Sequence, residues 1–213
     1  MRRALPILVM TLVTTFGWWW CRVPGSGDWV NFPPAADGPW IAYGDSLTAG
    51  FGADKGNDYP TLLGKKLGIQ IRNFGVSGNT THDGLARIDQ ALAVKPKVVL
   101  LCLGGNDSLR NLPKDQTFAN LSQMIDRFHG VGSFVVLVGV RSASLRDKNA
   151  DRFEALAREK KVMLIPNILE GVLFNSSLMS DTIHPNSQGY EKVAERLFVL
   201  LAPLLAQLNA ARE

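Results

Sequence analysis

The chain has 213 residues, 46% hydrophobic and 20% charged, a balance that suits one globular domain with a substantial buried core. Its formal charge is +4, but Arg2 and Arg3 are the only charged side chains in residues 1–21, so the remainder carries +2. Basic residues are scattered rather than striped, which argues against a nucleic-acid partner, and no segment reads as disordered, collagen-like or repetitive.

The N-terminus reads MRRALPILVMTLVTTFGWWWC. Two arginines precede an uncharged run from Ala4 to Trp20, the layout of a secretory signal or signal anchor. As a helix those residues would rise about 25 Å, slightly short of a hydrocarbon core of roughly 30 Å. Trp18, Trp19 and Trp20 would extend the span at the membrane interface. The run lacks small residues at its end, which disfavours both signal cleavage and lipidation at Cys21. Residues 1–21 are therefore expected to be a retained anchor, with a cleaved or lipidated leader as the alternative. The arginine flank would stay cytoplasmic and place the domain on the far side of the membrane. Residues 22–37, rich in Gly, Pro and Asp, read as a linker, and residues 38–213 as the domain.

From Trp40 the chain alternates short apolar runs with helical patterns. WIAYGDS is a first strand and Tyr59 to Leu67 a helix. IQIRNFG is a second strand, followed by a helix over 81–94. KVVLLCLGG, almost continuously apolar, is a third strand buried on both faces. Cys102 within it reads as a small core hydrophobe, and pairing with Cys21 is not expected. Residues 114–130 form an amphipathic helix, SFVVLVGV a fourth strand, 148–161 a helix and VMLIPNI a fifth strand. Residues 186–210 form a long helix with Val193, Leu197, Leu200 and Leu204 on its apolar face. Strands alternating with helices predict an α/β fold, a flavodoxin-like three-layer α/β/α sandwich around a five-stranded parallel sheet. In such folds ligands bind beyond the carboxyl ends of the strands.

The chemically suggestive residues fall there. Gly44-Asp45-Ser46-Leu47 follows the first strand, Gly75-Val76-Ser77-Gly78 the second, and Gly104-Gly105-Asn106-Asp107 the third. Asp181-Thr182-Ile183-His184-Pro185 lies between the fifth strand and the last helix. A serine hydroxyl needs a base, usually a histidine held by a carboxylate. Asp181 and His184, three residues apart on one turn, supply that pair, and Pro185 stiffens the turn. The Ser46 N–H, the Gly78 N–H and the Asn106 amide are candidate donors to an oxyanion.

Bland readings compete at several of these positions. Asp45 and Asp107 read more simply as capping or tying residues. Gly104 and Gly105 can serve only a sharp strand exit. His82 and His129 lack a carboxylate at the D-x-x-H spacing. No His, Asp or Cys cluster has metal-ligand spacing, and the glycine segments match neither G-x-G-x-x-G nor a P-loop, so no cofactor is expected. Ser46 also lacks the second glycine of the G-x-S-x-G nucleophile elbow, which disfavours an ordinary α/β-hydrolase.

These four blocks in order resemble those of the SGNH hydrolase (GDSL esterase/lipase) superfamily. GDSLTAGFGA, GVSGNTT and DTIHPNSQGY are most similar to its bacterial periplasmic branch of acyl-CoA thioesterase, arylesterase and lysophospholipase enzymes. The resemblance extends over the chain after residue 38. It implies Ser46 as nucleophile, Gly78 and Asn106 as oxyanion donors, Asp181 as orienting carboxylate and His184 as base. It departs at the leader, where a cleavable signal would be usual. The implied partner is a small acyl ester or thioester, turned over by a monomer without cofactor. A polysaccharide or peptidoglycan O-acetylesterase is the alternative within the superfamily, and a non-catalytic flavodoxin-like binding module the alternative outside it. Chain-length preference would depend on loops 51–58, 108–116 and 141–147. Leu109, Arg110, Leu112, Leu145 and Arg146 could border an acyl groove there, although plain exposed-loop positions are the favoured reading.

Overall fold

A computed structural model describes residues 28–140 and 149–211. The expected leader at 1–21, with Cys21, and the loop bearing Leu145 and Arg146 lie outside the described residues.

Five strands form one parallel sheet: β1 (Trp40–Gly44), β2 (Ile71–Gly75), β3 (Val98–Cys102), β4 (Phe134–Val138) and β5 (Met163–Ile165). Their order is β2-β1-β3-β4-β5, that of a doubly wound, flavodoxin-like sheet. Trp40 pairs in register with both Ile71 and Val98, so the carboxyl ends of β1, β2 and β3 finish side by side. The helices are α1 (Ser46–Ala49), α2 (Tyr59–Leu67), α3 (Thr81–Ala86), α4 (Ile88–Leu92), α5 (Gly105–Leu109), α6 (Lys114–Gly130), α7 (Asn149–Lys160) and α8 (Ser187–Ala210).

The two-residue period of the strands divides the core into two layers. Trp40, Ala42, Val98, Leu100, Phe134 and Val136 face α2 and α8. Ile41, Tyr43, Val99, Leu101, Val135 and Leu137 face α4, α6 and α7. Every residue of β1, β3 and β4 is buried, which accounts for the continuous apolar runs that mark them in the sequence. Local chemistry sets the helix ends. Asp58 caps α2 and accepts from the Thr61 N–H, while Thr80 and Asp83 form a reciprocal capping box on α3.

Three expectations are revised. The helix anticipated over 81–94 is two short helices with a break at Arg87, whose side chain is drawn to the Gly44 carbonyl and the Asn79 side chain. The buried face of α8 carries Val193, Ala194, Leu197, Leu201, Leu204 and Leu208, whereas Leu200 is 38% exposed. Positions 193, 197, 201, 204 and 208 keep one stripe facing the sheet, and Leu200 falls at its rim. Residues 28–37, the second part of the anticipated linker, lie under the amino ends of the strands. Trp29 and Ala36 are buried, the Val30 and Ala36 N–H groups donate to the Lys161 and Gly132 carbonyls, and Trp29, Phe32 and Phe134 form an aromatic cluster.

Candidate active site

Ser46 opens α1 directly behind β1. Asp45 is the helix N-cap, and its Oδ1 accepts from the Leu47 N–H at 3.0 Å. The Ser46 N–H is thus a first-turn amide with no partner inside its helix. Two glycines let this turn sit so low on the sheet. A Cβ on Gly44 would come within 2.0 Å of Thr48 Oγ1, and one on Gly75 within 2.2 Å of the Ala49 nitrogen.

The Asp181–His184 turn is closed from both sides. Asp181 Oδ1 accepts from the Ile183 and His184 N–H groups at 2.8 and 2.7 Å, and the Ser180 N–H donates to the His184 carbonyl at 2.9 Å. The other carboxylate oxygen, Oδ2, lies 2.7 Å from His184 Nδ1. His184 Nε2 lies 2.9 Å from Ser46 Oγ. Serine, histidine and aspartate are therefore linked in sequence, across 138 residues of chain. Burial opposes ionisation of Asp181, but the hydrogen bonds from Ile183 and His184 outweigh it and hold the carboxyl below its ordinary range. Gly52 lets the α1–α2 loop pass beneath this turn, since a Cβ there would come within 2.1 Å of Ser180 Oγ.

The remaining two blocks face Ser46 across the strand ends. Gly78 has φ +83°, a left-handed conformation natural to glycine, and its carbonyl accepts from Arg110 Nη2 at 2.9 Å. The Asn106 amide donates to the Asn79 carbonyl at 2.9 Å, which fixes its plane, and approaches Asp45 Oδ2 at 3.5 Å. Asp107, 3% exposed, ties the third block to the second by accepting from the Thr81 N–H and hydroxyl. Asp45 is 2% exposed, and burial pushes its carboxyl up to about 6 against the pull of the Leu47 N–H.

All five candidate residues thus lie on one edge, with Ser46, Asn106 and His184 lining a cavity of about 470 Å³. Leu47, Leu109, Leu112, Phe118, Val140, Leu169, Leu173 and Ile183 give that cavity an apolar wall. Leu109 and Leu112, favoured from the sequence as plain loop residues, belong to this wall while also being exposed at its mouth. Arg110 instead turns to the Gly78 carbonyl. Among the described residues no group of three or more His, Cys, Asp or Glu side chains is placed to hold a metal ion.

Two contributors were not legible in the sequence. Phe51, 53% exposed, lays its ring 4.6 Å from the His184 imidazole, centroid to centroid. Arg87 joins Gly44 to Asn79 and stacks over Tyr43 at 4.3 Å, from a position that reads as ordinary helix surface.

The sequence profile of the GDSL-like lipase/acylhydrolase family matches residues 42–192. Esterase TesA of Pseudomonas aeruginosa is 33% identical over 177 residues, spanning 78% of this chain and 88% of that protein. Thioesterase 1/protease 1/lysophospholipase L1 of Escherichia coli is 32% identical over 185 residues, or 83% and 89% of the two chains. The crystal structure of TesA superposes with a TM-score of 0.73 at 31% identity, covering 78% of this chain and 99% of that one. Motifs, sheet order and sequence relationships converge, and the chain belongs to the GDSL-like lipase/acylhydrolase family and is an ester hydrolase.

Proposed function

We propose that the chain hydrolyses carboxylic esters and thioesters through an acyl-enzyme on Ser46. The observation that carries the assignment is the 2.9 Å approach of His184 Nε2 to Ser46 Oγ, with Asp181 on the opposite ring nitrogen. With the Nδ1 proton directed to Asp181, Nε2 accepts the Ser46 hydroxyl proton as the oxygen attacks the acyl carbonyl. The imidazolium so formed is stabilised by Asp181 and returns its proton to the leaving oxygen or sulfur. Water then enters, gives a proton to His184 and attacks the acyl-enzyme, releasing the acid and restoring Ser46. The Ser46 N–H, Gly78 N–H and Asn106 amide receive the oxyanion in both steps.

The apolar wall beside Ser46 favours acyl chains longer than acetyl, in keeping with relatives named esterase and thioesterase/lysophospholipase. Export, with residues 4–20 retained as a membrane anchor and the domain on the far side, is part of the same reading. It rests on the arginine-flanked apolar run. Ser46→Ala in the full chain should lower hydrolysis of p-nitrophenyl butyrate by at least 10³-fold with an unchanged circular dichroism spectrum. Wild-type turnover by that variant would overturn the assignment.

A further inference from the structure

α8 is the one described helix long and apolar enough to cross a bilayer, yet its inner stripe is committed to the core. Its outer side changes character along its length. The first half presents Glu191, Lys192 and Glu195, whereas residues 197–206, LFVLLAPLLA, contain no polar side chain. On that second half Val199 is 71% exposed and Leu200 38%, with Pro203 and Ala206 exposed beside them. These four positions fall on one side of the helix and form an apolar strip.

The chain itself indicates what covers it. Trp29, the first buried residue among those described, belongs to the same core cluster as Leu204 and Leu208. Residues 33–37 border a cleft with Leu208 and Ala211. The N-terminal segment therefore joins the domain at the end where the apolar half of α8 lies. Only residues 21–27 separate Trp20 from Asp28, a reach of at most about 29 Å.

We infer that the outer face of α8 at Val199, Leu200, Pro203 and Ala206 rests on the lipid surface of the membrane that residues 4–20 enter. The inference rests on the anchor reading above. Charge contributes little, because Lys95, Lys97 and Lys161 at this end are largely offset by Asp28 and Asp37, so apolar burial at the headgroup boundary carries the contact. α8 starts three residues after His184, and Val199 and Ala206 lie about 20 and 30 Å down its axis from Asn186, so the contact is kept that far from the catalytic edge.

The test uses the full chain with Cys21→Ser, reconstituted in vesicles of phosphatidylethanolamine and phosphatidylglycerol. An environment-sensitive fluorophore is placed in turn on Val199→Cys, Ala206→Cys and, at the cavity mouth, Leu109→Cys. Flotation reports the anchor, and quenching by lipids spin-labelled near the headgroup reports docking. The expected result is flotation of all three proteins, with emission at 199 and 206 lowered at least twofold and emission at 109 unchanged. Val199→Lys with Leu200→Lys should abolish quenching at 206 while flotation persists. Flotation without quenching at 199 and 206, including the case where 199 crosslinks to a second copy, overturns the docking alone. Loss of flotation overturns the anchor and the docking with it.

Discussion

Asp107 accepts two hydrogen bonds from one residue, Thr81: the backbone N–H at 2.9 Å and the hydroxyl at 2.5 Å. This buried contact is the mechanical joint of the oxyanion side. Thr81 opens α3 directly after the Gly78 loop, and Asp107 adjoins Asn106, so the two donors are held as one unit. Thr117 donates to the same carboxyl, and Asn120 to the Thr81 hydroxyl. Asp107→Ala leaves the Thr81 N–H and hydroxyl without their acceptor. It should cost about 2–4 kcal/mol in urea denaturation and lower kcat as well, with Asp107→Asn intermediate in both.

Asn106 should show the opposite balance. Its amide is anchored by the Asn79 carbonyl in a partly exposed position, so little folding energy depends on it. Asn106→Ala is expected to reduce kcat by about 10²- to 10³-fold, as for other side-chain oxyanion donors, with a small change in melting temperature. Steady-state kinetics on p-nitrophenyl butyrate checks this, and a kcat within threefold of wild type would remove Asn106 from the oxyanion site.

Much of this site could be read in advance because its parts are short-range. A strand buried on both faces must be apolar throughout, so VVLLC announces β3 and places Asn106 at its exit. The Asp181–His184 pairing is likewise a property of one turn. What could not be read depends on side chains reaching across the fold. Arg87 breaks a helix that its neighbours would continue, because Gly44 and Asn79 draw its guanidinium inward. Phe51 gains a role only when α8 brings the His184 turn over it, and Tyr190 secures the place by donating to the Phe51 carbonyl at 3.0 Å. Leu200 and Leu201 are equivalent as residue types. The angle at which α8 meets the sheet alone decides which one is buried.

Asp45 makes the stability depend on pH in an uncommon direction. Its carboxyl is raised from 3.8 to about 6 by burial, so the native state binds more protons than the unfolded chain between those values. The associated stability is fully present below 3.8 and is lost as pH rises through 6, a difference of ~3 kcal/mol. Asp45→Asn keeps a good N-cap and removes the buried charge. It should raise stability by up to ~3 kcal/mol at pH 8 and leave it nearly unchanged at pH 4. With Oδ1 still accepting from Leu47, the new amide would face the Asn106 amide donor to donor, and kcat should fall about tenfold. Thermal unfolding at the two pH values checks the sign, and equal shifts at both would exclude this origin.

Phe51 tests whether an aromatic neighbour helps hold the catalytic imidazole. An aromatic contact of this geometry contributes about 0.5–1.5 kcal/mol, which corresponds to a two- to tenfold loss of kcat for Phe51→Ala. Phe51→Tyr should restore the rate, since the ring is retained. The Phe51 N–H bond to the Ser46 carbonyl is a backbone contact, so the loop itself should survive both changes. An unaltered kcat in Phe51→Ala would reduce the ring to a surface feature.

Acyl preference should be governed by Leu109 and Leu112, the two wall residues most open to solvent at the cavity mouth. Each methylene moved from water into an apolar wall contributes about 0.8 kcal/mol, or about a fourfold gain in kcat/KM per methylene until the wall is covered. Across a p-nitrophenyl series from acetate to decanoate, the wild type should climb in this way and then level off. Leu109→Ser with Leu112→Ser removes apolar wall without touching Ser46, Asn106 or His184. The double variant should therefore keep its acetate activity within about twofold while losing most of the gain on longer chains. A parallel slope in the two proteins would place the acyl chain elsewhere, against Leu169, Leu173 and Ile183 on the far side of the same cavity.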